Sequence, residues 1–73
     1  MSKLYQESGS TPERRAQEAD ELTNMLADAE VWMTRTEAIF FRDMYERLEK
    51  YGDRTFVSPK QLFWLRELKE KYL

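Results

Sequence analysis

Neither cysteine nor histidine occurs among the 73 residues of this chain, and that absence is the tightest limit on how it can fold. Disulfides are ruled out, along with the two residue types that build most zinc sites, the thiolate nucleophile and the imidazole base. A chain of this length buries only about 60 % of the surface its unfolded form exposes. Without staples it must hold itself together by helix packing or by leaning on a partner. Hydrophobic residues make up 41 % and charged residues 36 %, above the profile of a disordered tail and far below that of a membrane protein. No apolar run approaches the roughly 20 residues needed to cross a bilayer, so no membrane partner is expected. The segment MSKLYQESGS has one lysine and no apolar stretch. It does not read as a signal peptide, and a cytoplasmic location is the expectation.

Helix starts are written in the sequence as capping chemistry. Residues 1–10 contain Ser2, Ser8, Gly9 and Ser10 with only Leu4 and Tyr5 as larger apolar groups beyond the first residue, the pattern of a flexible tail. Ser10 or Thr11 can cap a first helix, with Pro12 at the first position, where no N–H is needed. Ala19, Leu22, Met25, Leu26 and Ala29 follow as a shallow stripe, expected to make this the weakest helix. Thr34 through Glu37 spell a capping box, so a second helix starts near Arg35. Its broad apolar face comprises Phe40, Phe41, Met44, Tyr45, Leu48 and Tyr51, and Gly52 can supply a left-handed terminator. Ser58, Pro59 and Gln61 mark the third start, with Val57 and Leu62 placed as a hydrophobic staple. Leu62, Leu65, Leu68 and Tyr72 then line one side, with Trp64 at its edge. No strand alternation appears. The expected fold is all-α: a flexible tail over 1–10 and a single small three-helix domain over 11–73.

Charge is unevenly distributed. From Pro12 to Glu30 there are two arginines against six carboxylates, and from Asp53 to Leu73 five basic residues against three acidic ones. This predicts either an acidic first helix leaning on a basic third helix or an acidic surface offered to a basic partner.

The stock of reactive groups is Asp, Glu, Lys, Tyr, Ser and Thr, and most carboxylates fall on charged helix faces or in turns, where they serve solubility and pairing. The only glycines are Gly9 and Gly52, so no phosphate-cradling loop exists. The expectation is a protein that is not an enzyme and has no cofactor, metal or small-molecule substrate. Lys60, Gln61, Arg66, Lys69 and Lys71 on a third helix raise the alternative of a helix-turn-helix-like DNA-binding module. Against direct nucleic-acid contact stand a net charge of −2, a pI near 5.1 and the GDRTFV link, longer than the usual turn.

Several apolar side chains sit on the wrong face for a core. Ile39 projects about 180° from the stripe of the second helix, among Arg42, Asp43 and Glu46, and Phe63 does so on the third, among Arg66, Glu67 and Glu70. Trp32 lies between Val31 and Met33 in the first link. Phe63, Ile39 and Trp32, rimmed by Arg66 and Arg42, are the candidate partner surface. Self-association through Phe63 and Trp32 is a further possibility, though a monomer is expected.

The segment from Thr36 to Leu73 resembles a helical hairpin of phage and bacterial replication and accessory proteins. Its pattern [LV]-[ST]-x-K-Q-x-x-W-L is matched by Val57, Ser58, Pro59, Lys60, Gln61, Leu62, Phe63, Trp64 and Leu65. The whole layout resembles the very small phage-encoded regulators that bind the RNA polymerase of a Xanthomonas host. That resemblance implies a non-enzymatic transcription regulator in the host cytoplasm. It would bind polymerase subunits through protein–protein contacts, inhibit initiation and favour antitermination.

Overall fold

A computed structural model describes residues 11–73 as three helices and no strand among the described residues. The expected tail over 1–10, and Ser10 as an alternative cap, lie outside the described residues. Helix α1 spans Pro12–Leu26, α2 Arg35–Tyr51 and α3 Pro59–Tyr72, with single 3₁₀ segments at Ala27–Trp32 and Gly52–Arg54 completing the corners. None of these helices is long and apolar enough to cross a membrane.

All three starts form at the residues whose side chains can cap them. The Thr11 hydroxyl accepts from the Arg14 N–H at 3.1 Å, with Pro12 at the first helical position. At α2 the Glu37 N–H donates to the Thr34 hydroxyl at 3.2 Å and the Thr34 N–H donates to the Glu37 carboxylate at 2.9 Å. The same reciprocal pair joins Ser58 and Gln61 at 3.0 and 3.1 Å. Each box satisfies two N–H groups that an unfinished helix end leaves orphaned. Gly52 ends α2 with positive φ, but at φ 58° and ψ −134° it lies outside the left-handed helical well. That conformation belongs almost entirely to glycine. It turns the chain into the Gly52–Arg54 segment and on to Thr55, whose hydroxyl donates to the Arg47 carbonyl at 3.1 Å.

Helix direction follows from the long-range contacts. The Arg15 Nε donates to the Val57 carbonyl at 2.7 Å, and three residues further along α1 Glu18 meets Arg66, so α1 and α3 run in the same direction. Helix α2 runs against them, since Phe40 meets Trp64 and the earlier Glu37 meets the later Lys71. The core joins Ala16, Ala19, Leu22 and Leu26 of α1 to Phe41, Met44 and Leu48 of α2 and to Leu62, Leu65 and Leu68 of α3, with Val57 beneath the last turn of the link.

Helix α1, expected from its shallow stripe to be the weakest, is the element on which both others pack. Its two small residues, Ala16 and Ala19, are 1 % and 0 % exposed, so small size here means close backbone approach rather than a poor seal. Met25 leaves the predicted stripe and is 48 % exposed. It stands roughly 120° from the centre of the stripe that Ala16, Ala19, Leu22 and Leu26 define. Thr23 takes the buried place instead, and its hydroxyl donates to the Asp20 carbonyl at 3.0 Å, which removes the penalty for burying it. Tyr51, expected on the core face of α2, is half exposed because the helix ends beyond the reach of its neighbours.

Glu37 is shared between helices. Besides the Thr34 N–H it accepts from Lys71 Nζ at 2.8 Å and from the Tyr72 hydroxyl at 2.5 Å, tying the start of α2 to the end of α3. Lys71 above all, then Tyr72 and the Thr34 N–H, hold its carboxyl at about 2, well below the ordinary 4.5. A carboxyl whose pKa is lowered by folding stabilises the fold fully above its ordinary pKa, and the contribution disappears as pH falls towards the folded value.

Two outcomes follow. Ala19→Leu should destabilise the domain by about 1–3 kcal/mol through overpacking against both neighbours, read from urea denaturation. Glu37→Gln retains a side chain that can complete the capping box but gives up the charge. Its melting temperature should lie below that of the parent at neutral pH, and the two should converge as the pH approaches about 2. An offset that stays constant across that range would show that the charge of Glu37 contributes nothing to stability.

Candidate functional site

The five residues singled out from the sequence are placed in three different settings. Ile39 is 64 % exposed on the outer side of α2, and Trp32 is 75 % exposed in the Ala27–Trp32 segment beside Val31 at 81 %. These three side chains fall within one nine-residue stretch at the corner between α1 and α2. They lie outside the buried cluster.

Phe63 is half-buried rather than fully outward. It lines a groove of about 360 Å³ between α2 and α3, with Thr36, Glu37, Phe40, Trp64, Glu67 and Leu68. The groove exists because the two helices are bridged by side chains while their backbones pack on α1. Phe40 and Trp64 meet edge to face across it, with ring centres 5.4 Å apart. Neither Ile39 nor Trp32 lines that groove, so the single surface expected to combine them with Phe63 is divided by the fold.

Arg66 is corrected most plainly. Only 12 % of its side chain is exposed, and it makes a two-pronged pair with Glu18 of α1, Nε to Oε2 at 2.5 Å and Nη2 to Oε1 at 2.6 Å. It therefore closes α3 onto α1, with little of its side chain left at the surface where the sequence placed it. This contact also realises the predicted leaning of an acidic first helix on a basic third. Arg42 stays at the surface, 64 % exposed, yet its guanidinium lies 2.6 Å from Glu30, which raises its pKa above the ordinary value. That pair rims a second groove of about 320 Å³ with Ala27, Phe41, Tyr45 and Glu46.

A second class of exposed side chain was not singled out from the sequence. Tyr51 is 52 % exposed, Phe56 62 % and Trp64 45 %, and each carries a cation over its ring. Lys50 Nζ lies 5.3 Å from the Tyr51 centroid, Arg15 Cζ 5.9 Å from that of Phe56 and Lys60 Nζ 5.2 Å from that of Trp64. The Lys60–Trp64 pair is legible as an i to i+4 spacing on a helix. Arg15 over Phe56 is not, because 41 residues separate them.

Among the described residues no group of three or more acidic side chains is gathered to hold a metal ion. No family model, curated protein or solved structure matches the chain.

Removing the guanidinium by Arg66→Ala should cost about 1–2 kcal/mol, since it strands the half-covered Glu18 carboxylate. Trp32→Ala should stay within about 0.5 kcal/mol of the parent. Thermal unfolding followed by circular dichroism distinguishes the two. Equal losses would place Trp32 in the packing scheme after all.

Proposed function

We propose that this chain is a non-catalytic regulator that acts by docking on a bacterial RNA polymerase, holding back initiation and favouring read-through of terminators. The observation that carries the docking part is that Val31, Trp32 and Ile39, within nine residues of chain at the start of α2, are 64–81 % exposed in a domain whose core is complete without them. Water-exposed side chains of this size are a standing cost that association relieves, and Trp is among the residues that most often anchor an interface. Arg35 at the start of α2 and the Glu30–Arg42 pair surround them with charge that can orient a partner. The polymerase part rests on the resemblance to small phage regulators and on the acidic total of −2, suited to basic channels that normally receive nucleic acid or a sigma factor.

Two observations weigh against the helix-turn-helix alternative, which drew on Lys60, Gln61, Arg66, Lys69 and Lys71 of α3. Arg66 is engaged by Glu18, and the link between α2 and α3 contains its own 3₁₀ turn from Gly52 to Arg54, in place of a short tight turn.

Run-off transcription with purified Xanthomonas polymerase tests the proposal. Adding the chain should lower promoter-dependent transcripts and lengthen products past a terminator. Trp32→Ala combined with Ile39→Ser should abolish both effects while the melting temperature holds. Transcription indifferent to the chain overturns the polymerase assignment.

A further inference from the structure

The cations of this protein fall into two populations. Arg42, Arg47, Arg66 and Lys71 each lie within 3.4 Å of a carboxylate. Of those with no such partner among the described residues, Lys50, Arg54 and Lys60 are gathered in one stretch, from the last turn of α2 through the Gly52–Arg54 segment to the first turn of α3. Asp53 is the only carboxylate from Lys50 to Lys60. Arg15 is drawn to the same corner from α1 by its bond to the Val57 carbonyl. The acidic total of −2 therefore conceals one basic end.

That end also holds exposed aromatic rings. Tyr51 and Phe56 flank the Gly52–Arg54 segment, each more than half exposed, and Lys60 over Trp64 continues the series one turn into α3. Even with these cations beside them, Tyr51 stays 52 % and Phe56 62 % exposed, so ring surface remains for a flat partner. Alternating cations and open ring faces match the chemistry of a strand with phosphates at regular intervals and unstacked bases between them. An acidic peptide would pair with the cations but leave the rings wet. An anionic lipid surface calls for a continuous apolar helix face to bury among the headgroups, which this turn between two helix ends does not present.

We propose that the corner formed by Lys50, Tyr51, Arg54, Phe56 and Lys60 binds single-stranded nucleic acid. Bases stack on Tyr51 and Phe56, and phosphates contact Lys50, Arg54 and Lys60. Arg15 positions Phe56 from behind. The site stands apart from the Val31, Trp32 and Ile39 corner and does not depend on the polymerase reading.

Fluorescence anisotropy of the protein alone with labelled oligouridylate and oligothymidylate of about 15 nucleotides tests it. At about 50 mM salt, binding should saturate and then weaken with a log–log salt slope of about −2, the value for three phosphate contacts on a single strand. Preference for one strand assigns the site to RNA or to DNA, and equal binding assigns it to either. Tyr51→Leu with Phe56→Leu should lower affinity about tenfold with the salt slope unchanged. Arg54→Ser with Lys60→Ser should flatten the slope. Circular dichroism melting of each variant confirms that the fold is retained. No binding of either strand overturns the proposal. So does a double leucine variant that is folded and binds as tightly as the parent, which would reduce the corner to unspecific attraction for polyanions.

Discussion

The approach of α1 to two helices at once is the constraint on which the remaining structure rests. Ala16 and Ala19 are buried with no exposed surface worth counting on the helix that both α2 and α3 pack against, so larger side chains there would disturb that packing. Because the two outer helices meet α1 more closely than each other, the contact between them is left to side chains: Phe40 against Trp64, and Glu37 with Lys71 and Tyr72. The groove lined by Phe63 is a consequence of that arrangement. A chain with no cysteine and hence no disulfide to fall back on is fastened in this way at both ends of α3, by Arg15 on the Val57 carbonyl at its start and by Glu37 at its finish.

Charge does two different jobs in this molecule. Where two helices cross, opposite charges are brought together, as in Arg66 with Glu18, Lys71 with Glu37 and Arg42 with Glu30. The most covered of these, Arg66 with Glu18, has the bidentate geometry that makes a partly dehydrated pair favourable rather than merely tolerated. Away from the crossings, at the corner between α2 and α3, the cations face rings instead of carboxylates. The net charge averages over these two regimes and describes neither.

The two exposed apolar corners lie at opposite ends of α2. Val31, Trp32 and Ile39 gather near its start, and Tyr51 and Phe56 near its finish. Helix α2, 17 residues long, extends for about 25 Å at the usual rise. The two proposed binding corners therefore do not overlap on this small domain. The first corner, two aliphatic side chains and one indole, has the character proposed for a protein contact. The second is basic and aromatic, suited to a nucleic-acid strand.

Helix starts were fully legible in the sequence because capping is local. Thr11, Thr34 and Ser58 are each satisfied by a residue three positions away, and no distant part of the chain has a say in it. The outward direction of Ile39 was legible for the same reason, being fixed by helical period alone. Arg66 read as exposed from its own helix and is not, because its environment is set by Glu18, 48 residues earlier. Phe63 read as outward, yet a helical wheel cannot show that a neighbouring helix stands beside it and turns its edge into a groove. Likewise the two alanines of the first stripe, Ala19 and Ala29, looked like a weak seal, yet both are buried in the core that α1 forms with its neighbours. Sequence alone determined which segments are helical and where they begin, through bonds spanning three or four residues. Only the tertiary structure decided which charges are consumed within the fold and which apolar groups stay wet, because those outcomes depend on pairs of residues brought together from opposite ends of the chain.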